Sequence, residues 1–81
     1  MKVRVRRATG SETKVPVKTE YIKLESFLKL ADAVASGGMA KTVIQDGEVL
    51  VNGEVCTARG KKLRPGDRVT CFGAVYEVIQ G

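Results

Sequence analysis

Histidine is absent from this chain of 81 residues, and so is tryptophan. Losing histidine removes the commonest general base near neutral pH and the commonest metal ligand together. Cysteine occurs twice, at Cys56 and Cys71. Two thiolates without histidine cannot complete a tetrahedral zinc site within one chain. Aromatics are limited to Tyr21, Phe27, Phe72 and Tyr76. No apolar run approaches the ~20 residues that a membrane-spanning helix needs. The basic start Met1–Arg7 is not followed by the apolar stretch of a secretory signal. These absences lead us to expect a soluble, reduced, cytoplasmic protein whose cysteines are packed thiols, not a disulfide. Asp46 and Glu48 come nearest to a carboxylate pair, but they flank a glycine with no nucleophile beside them. No Ser/His/Asp, Cys/His, phosphate-loop or dinucleotide pattern is present. The expectation is therefore no enzyme, no cofactor, no small-molecule substrate and no membrane partner.

What remains is ordinary in amount and uneven in placement. A 43% apolar and 28% charged chain of this length suits one small domain. The net charge is +5, and +4 of it falls within residues 1–20. In the remainder the signs separate. Arg59, Lys61, Lys62, Arg64 and Arg68 crowd together with only Asp67 among them, while Asp46, Glu48 and Glu54 gather just upstream. A small domain with one basic edge favours polyanions, of which RNA is the abundant cytoplasmic example.

Local patterning predicts the elements. Residues 1–14 read as a basic, flexible extension: alternating basic and apolar residues over 2–7, then a small polar linker over 8–14. Residues 15–81 read as the domain. Pro16 restricts Val15–Val17 to an extended segment or an edge strand. Leu24, Phe27, Leu28, Ala31 and Val34 follow the spacing of one helix face, so a helix is predicted to run to about Ser36, where Gly37-Gly38 ends it. Ser36 then caps a second helix whose inner stripe is Ala40, Val43 and Ile44, and Gly47 closes it. Asn52-Gly53 between β-rich runs predicts a two-residue type I′ hairpin pairing Val51 with Glu54, Leu50 with Val55 and Val49 with Cys56. Both faces of that hairpin carry apolar residues; the Val49, Val51, Cys56 face is favoured as the inner one. Pro65-Gly66-Asp67 is a turn, and two further short strands, 68–72 and 74–79, meet at Gly73. The predicted fold class is α+β: two short N-terminal helices packed on a small, mainly antiparallel sheet of four to five strands.

This order allows one surface to collect Lys23, Ser36, the backbone N–H groups of Gly37 and Gly38, Lys41, Gln45, Arg59, Lys61 and Lys62. Free N–H groups at a helix start favour phosphate, and glycine lets a nucleic-acid backbone come close. Phe27 belongs to the apolar stripe. Tyr21, just ahead of the helix, is either a surface aromatic or a base-stacking ring. Gly47, Asn52, Gly53, Pro65 and Gly66 are explained as turn and cap residues.

Four separated blocks in this order carry a family resemblance. They are Lys23-Leu24-Glu25-Ser26-Phe27-Leu28, Ser36-Gly37-Gly38-Met39-Ala40-Lys41, Ile44 through Gly53, and Leu63-Arg64-Pro65-Gly66-Asp67-Arg68-Val69. Over about residues 18–79 the chain resembles the S-four RNA-binding domain, built on what is called the αL motif, and within it the small stand-alone bacterial members. The resemblance implies a monomer that binds structured RNA, specifically ribosomal RNA or a ribosomal subunit, during ribosome maturation. Lys23 stands where the family usually has arginine, and Met39 where stand-alone members usually have glutamate. Two other readings compete. In one, a protein-interaction adaptor docks on ribosome-associated proteins through Asp46, Glu48 and Glu54. In the other, the chain is a β-grasp-like sulfur carrier, which would need a terminal Gly-Gly where this chain reads Ile79-Gln80-Gly81.

Overall fold

A computed structural model describes residues 12–81. The expected basic arm 1–7 and the linker residues 8–11 lie outside the described residues. The order of elements is β1 (Glu12–Val17), β2 (Ile22–Lys23), α1 (Leu24–Leu30), α2 (Gly37–Gln45), β3 (Val49–Val51), β4 (Glu54–Val55), β5 (Lys62–Leu63), β6 (Arg68–Cys71) and β7 (Ala74–Gln80). The class is α+β. Two details differ from the reading of the sequence. The helices are not N-terminal, because β1 and β2 precede them, and the main sheet is mixed. It has five strands in the order β1-β7-β6-β3-β4, with β2 and β5 forming a separate two-stranded ladder.

The mixed character comes from β1, which pairs parallel to β7 with Val15 opposite Val78. The other pairs in that sheet are antiparallel. Pro16 has no N–H for a ladder, and β1 sits at the sheet edge where that omission is tolerated. Val15 and Val17 turn into the core. Glu12, Thr13 and Lys14, read from sequence as linker, join the strand. Lys14 Nζ donates a 3.0 Å hydrogen bond to Glu77 Oε1. That bond, with smaller help from Arg68, holds the Glu77 carboxyl below the usual range against a lesser opposing effect of desolvation.

The first helix is shorter than its apolar spacing suggested. It stops at Leu30 because Asp32 adopts the left-handed conformation at φ 61°. Asp32 N–H then bonds to Lys29 O and Ala33 N–H reaches back to Leu28 O. These two bonds satisfy carbonyls that the helix end would leave open. Val34 still reaches the core, but from the connecting turn. The second helix ends in the same way: Gly47 at φ 79° bonds to Ile44 O, and Glu48 N–H bonds to Val43 O. Sequence flags Gly47 readily and Asp32 poorly, since glycine is the common left-handed cap and aspartate an occasional one. Gly47→Ala forces a Cβ into that conformation, so we expect a loss of about 1 kcal/mol. The thermal midpoint should fall by roughly 4–8 °C in a calorimetric scan.

The two turn motifs meet in space. Asn52 (φ 52°) and Gly53 (φ 87°) form the predicted hairpin turn, with Val51 opposite Glu54 and Leu50 opposite Val55. Val49 and Val51 are buried and Val55 is exposed, so the favoured inner face is the correct one. Asp67 N–H bonds to Arg64 O across Pro65-Gly66, with Gly66 at φ 103°. Asn52 then links both turns: its Nδ2 donates to Asp67 Oδ1 (3.2 Å) and its Oδ1 accepts from Arg68 N–H (3.0 Å). Leu24, Phe27, Leu28 and Ile44 from the helices pack with Val49, Val69 and Val78 from the sheet in one core. Cys56 and Cys71 are free thiols, and burial, with a smaller effect from Glu48, pushes the Cys71 thiol up.

Candidate nucleic-acid interface

The β2–β5 ladder is two residue pairs long, and alternation decides what each side shows. Ile22 and Leu63 pair and face inward, with Leu63 fully buried; Lys23 and Lys62 pair and face solvent. Directly opposed residues on one face bring their Cβ atoms to about 5 Å, where like charges repel. The next residue, Leu24, starts α1. Lys23 occupies the cap position without a side-chain cap bond. Carbonyls from the basic loop cap this helix instead: Leu24 N–H donates to Lys61 O (2.8 Å) and Glu25 N–H to Arg59 O (3.2 Å). Arg59 Nη1 also lies 3.9 Å from Glu25 Oε1. Lys23, Arg59, Lys61 and Lys62 are thereby gathered at one end of α1. Lys62 Nζ stands 4.8 Å from the Tyr21 ring centroid.

The other end of α1 meets the start of α2. Ser36 caps α2 as expected, its Oγ accepting Met39 N–H at 3.2 Å and its carbonyl accepting Ala40 N–H. The N–H groups of Gly37 and Gly38 have no acceptor among the described residues. Neither glycine has a positive φ, and a Cβ added at either would meet nothing closer than 3.9 Å. Backbone conformation and packing therefore do not require glycine there. A Cβ at Gly37 would lie 4.0 Å from Cδ of Lys29. The sequence reading missed Lys29, since a helix drawn to Ser36 buried its position in mid-helix; ending α1 at Asp32 would have put Lys29 in the last turn beside the glycines. Lys41 and Gln45 follow Gly37 at four-residue intervals and are exposed, so they continue the same stripe along α2.

The predicted residues therefore form two groups: a lysine cluster at the start of α1 and a glycine-led stripe along α2. The seven residues of α1 span about 10 Å between them. Among the described residues, Lys23, Lys29, Lys41, Lys61 and Lys62 form no ion pair, whereas Lys14, Arg59 and Arg68 do. Two carboxylates stand near these cations: Glu25 pairs with Arg59, and Glu54 shares an open cleft of about 250 Å³ with Val51, Asn52, Val55, Cys56 and Lys61, whereas Asp46 caps the end of α2 and Glu48 follows it. Among the described residues there is no group of three His, Cys, Asp or Glu able to hold a metal ion, and no helix is long and apolar enough to cross a membrane.

Comparison with known proteins identifies the family. Residues 15–79 match the family model of the S4 domain. A curated relative from Bacillus subtilis (strain 168), named "Probable ribosome maturation protein RlbA", is 51% identical over 59 residues, which cover 73% of this chain and 83% of that protein. With the family match extending over most of its length, this chain belongs to the S4 domain family.

Proposed function

We propose that this protein binds structured RNA through the sugar–phosphate backbone, that the RNA is ribosomal, and that binding serves ribosome maturation. The observation that carries this reading is the opposition of Lys23 and Lys62 across a two-residue ladder with no carboxylate paired to either among the described residues. Holding like charges side by side disfavours the free protein, and a bound polyanion relieves the repulsion. Lys61, the next residue along and also exposed, is bound to the start of α1 through its carbonyl and adds positive charge close by. Along α2, the Gly37 and Gly38 N–H groups offer donors to a second phosphate, with Lys29 and Lys41 beside them and Gln45 about two turns further along the helix. Contacts of this kind read the path of a backbone more than base sequence, which suits RNA stems and their junctions. The family match and the name of the Bacillus subtilis relative support the ribosomal assignment.

Ultraviolet crosslinking of the native protein in its own cells, followed by sequencing of the attached RNA, tests the assignment. We expect reads concentrated in one or a few segments of ribosomal RNA. Adducts to protein in place of RNA would favour a docking adaptor, and reads spread evenly over cellular RNA would remove the ribosomal part of the proposal.

A further inference from the structure

Tyr21 takes no part in the phosphate contacts above, yet it is held in place at their edge. The residue is 36% exposed. The Thr19 hydroxyl donates a 2.7 Å hydrogen bond to the Tyr21 carbonyl, and the Lys62 ammonium lies 4.8 Å from the ring centroid. Ile22 points inward, so alternation turns Tyr21 to the same side as Lys23. Tyr21 directly precedes β2 and Arg64, which is also exposed, directly follows β5, so both stand at the Ile22–Leu63 end of the ladder. One aromatic ring thus lies against Lys62, with the exposed Lys23 and Arg64 on or next to the same two strands. The stripe along α2 has no aromatic residue.

An exposed ring fixed among cations has the components needed to take an unpaired nucleotide. The base stacks on the ring while the flanking phosphates meet ammonium and guanidinium groups. A base inside an unbroken duplex is already stacked on both neighbours and offers no free face. Lys62 lies over one face of the ring in the free protein and orients it, leaving the opposite face for the base and an ammonium close by for a flanking phosphate. We propose that Tyr21, with Lys62 against it and Lys23 and Arg64 nearby, is a base-stacking platform, so that the site takes an unpaired nucleotide beside a helical stem. This rests on the RNA-binding reading above and deepens it.

Two synthetic RNA hairpins test the proposal, identical except for one unpaired adenosine in the stem of the first. The full-length protein should bind the bulged hairpin roughly 5- to 150-fold more tightly than the paired one, the range that stacking one base on an aromatic side chain supplies. Tyr21→Leu should erase that preference, Tyr21→Phe should keep it, and neither should change the salt dependence, because no phosphate contact is lost. A direct readout comes from Tyr76→Phe protein, in which Tyr21 is the remaining tyrosine: its emission should be quenched by the bulged hairpin and not by the paired one. If the parent binds both hairpins equally with strong salt dependence, or Tyr21→Leu retains the preference, the platform is refuted and the RNA-binding reading stands. Binding to neither hairpin refutes both.

Discussion

Replacing Lys23, Lys61 and Lys62 together by alanine should lower affinity for structured RNA by roughly 100- to 500-fold at 0.1 M salt, because each lost phosphate contact removes about 0.7–0.9 from the slope of log affinity against log salt. The slope itself should therefore flatten by about 2–3. The fold should not suffer. All three side chains are exposed, and Lys23 and Lys62 repel each other in the free protein. A thermal midpoint equal to or slightly above that of the parent is the expected companion result. Anisotropy titrations across a salt series, paired with circular dichroism melts, measure both quantities. A triple variant with the parent's affinity and slope would show that the phosphates bind elsewhere.

Leu63→Ala, one residue along from Lys62, should give the opposite outcome: a large loss of stability. Leu63 is fully buried and pairs with Ile22, so it is the inward half of the ladder whose outward half carries the lysines. Truncating a buried leucine costs about 2–5 kcal/mol through lost burial and the cavity left behind. For a domain of this size the whole stability is about 4–12 kcal/mol, so one substitution removes a large share. The thermal midpoint should fall by roughly 10–30 °C. Urea melts would check the free energy, and a midpoint within a few degrees of the parent would contradict the placement of Leu63 in the core. The effect also bears on the site. Lys61 and Arg59 cap α1 through their carbonyls, so loosening β5 releases the loop that carries the cationic cluster.

The contrast between Lys62 and Leu63 shows how far the sequence could be read. Sequence composition marks the 59–64 loop as basic, and the motif blocks mark Lys23 and Gly37-Gly38, but nothing local says that Lys23 and Lys62 are cross-strand neighbours. They are far apart in the chain, and the ladder that joins them is too short to have a periodicity of its own. Tyr21 gained its meaning from the same ladder, which brought Lys62 to its ring.

Features governed by backbone preferences over a few residues were legible in the sequence alone. The Asn52-Gly53 turn and its register, the Ser36 cap, the inner stripe of α2, the Gly47 closure and the Pro65-Gly66 turn all follow from local conformational limits and side-chain period. Tertiary structure alone decided the parallel pairing of β1 with β7, the early end of α1 at Asp32, the approach of Lys29 to Gly37 and the β2–β5 ladder. The reason is physical. A turn or a cap is chosen by φ and ψ preferences within one short segment, whereas strand partners are chosen by which distant apolar faces bury best against each other. The kinds of residue available to hold RNA are written along the chain, and packing of Leu63 and Ile22 beneath the lysines is what sets them side by side.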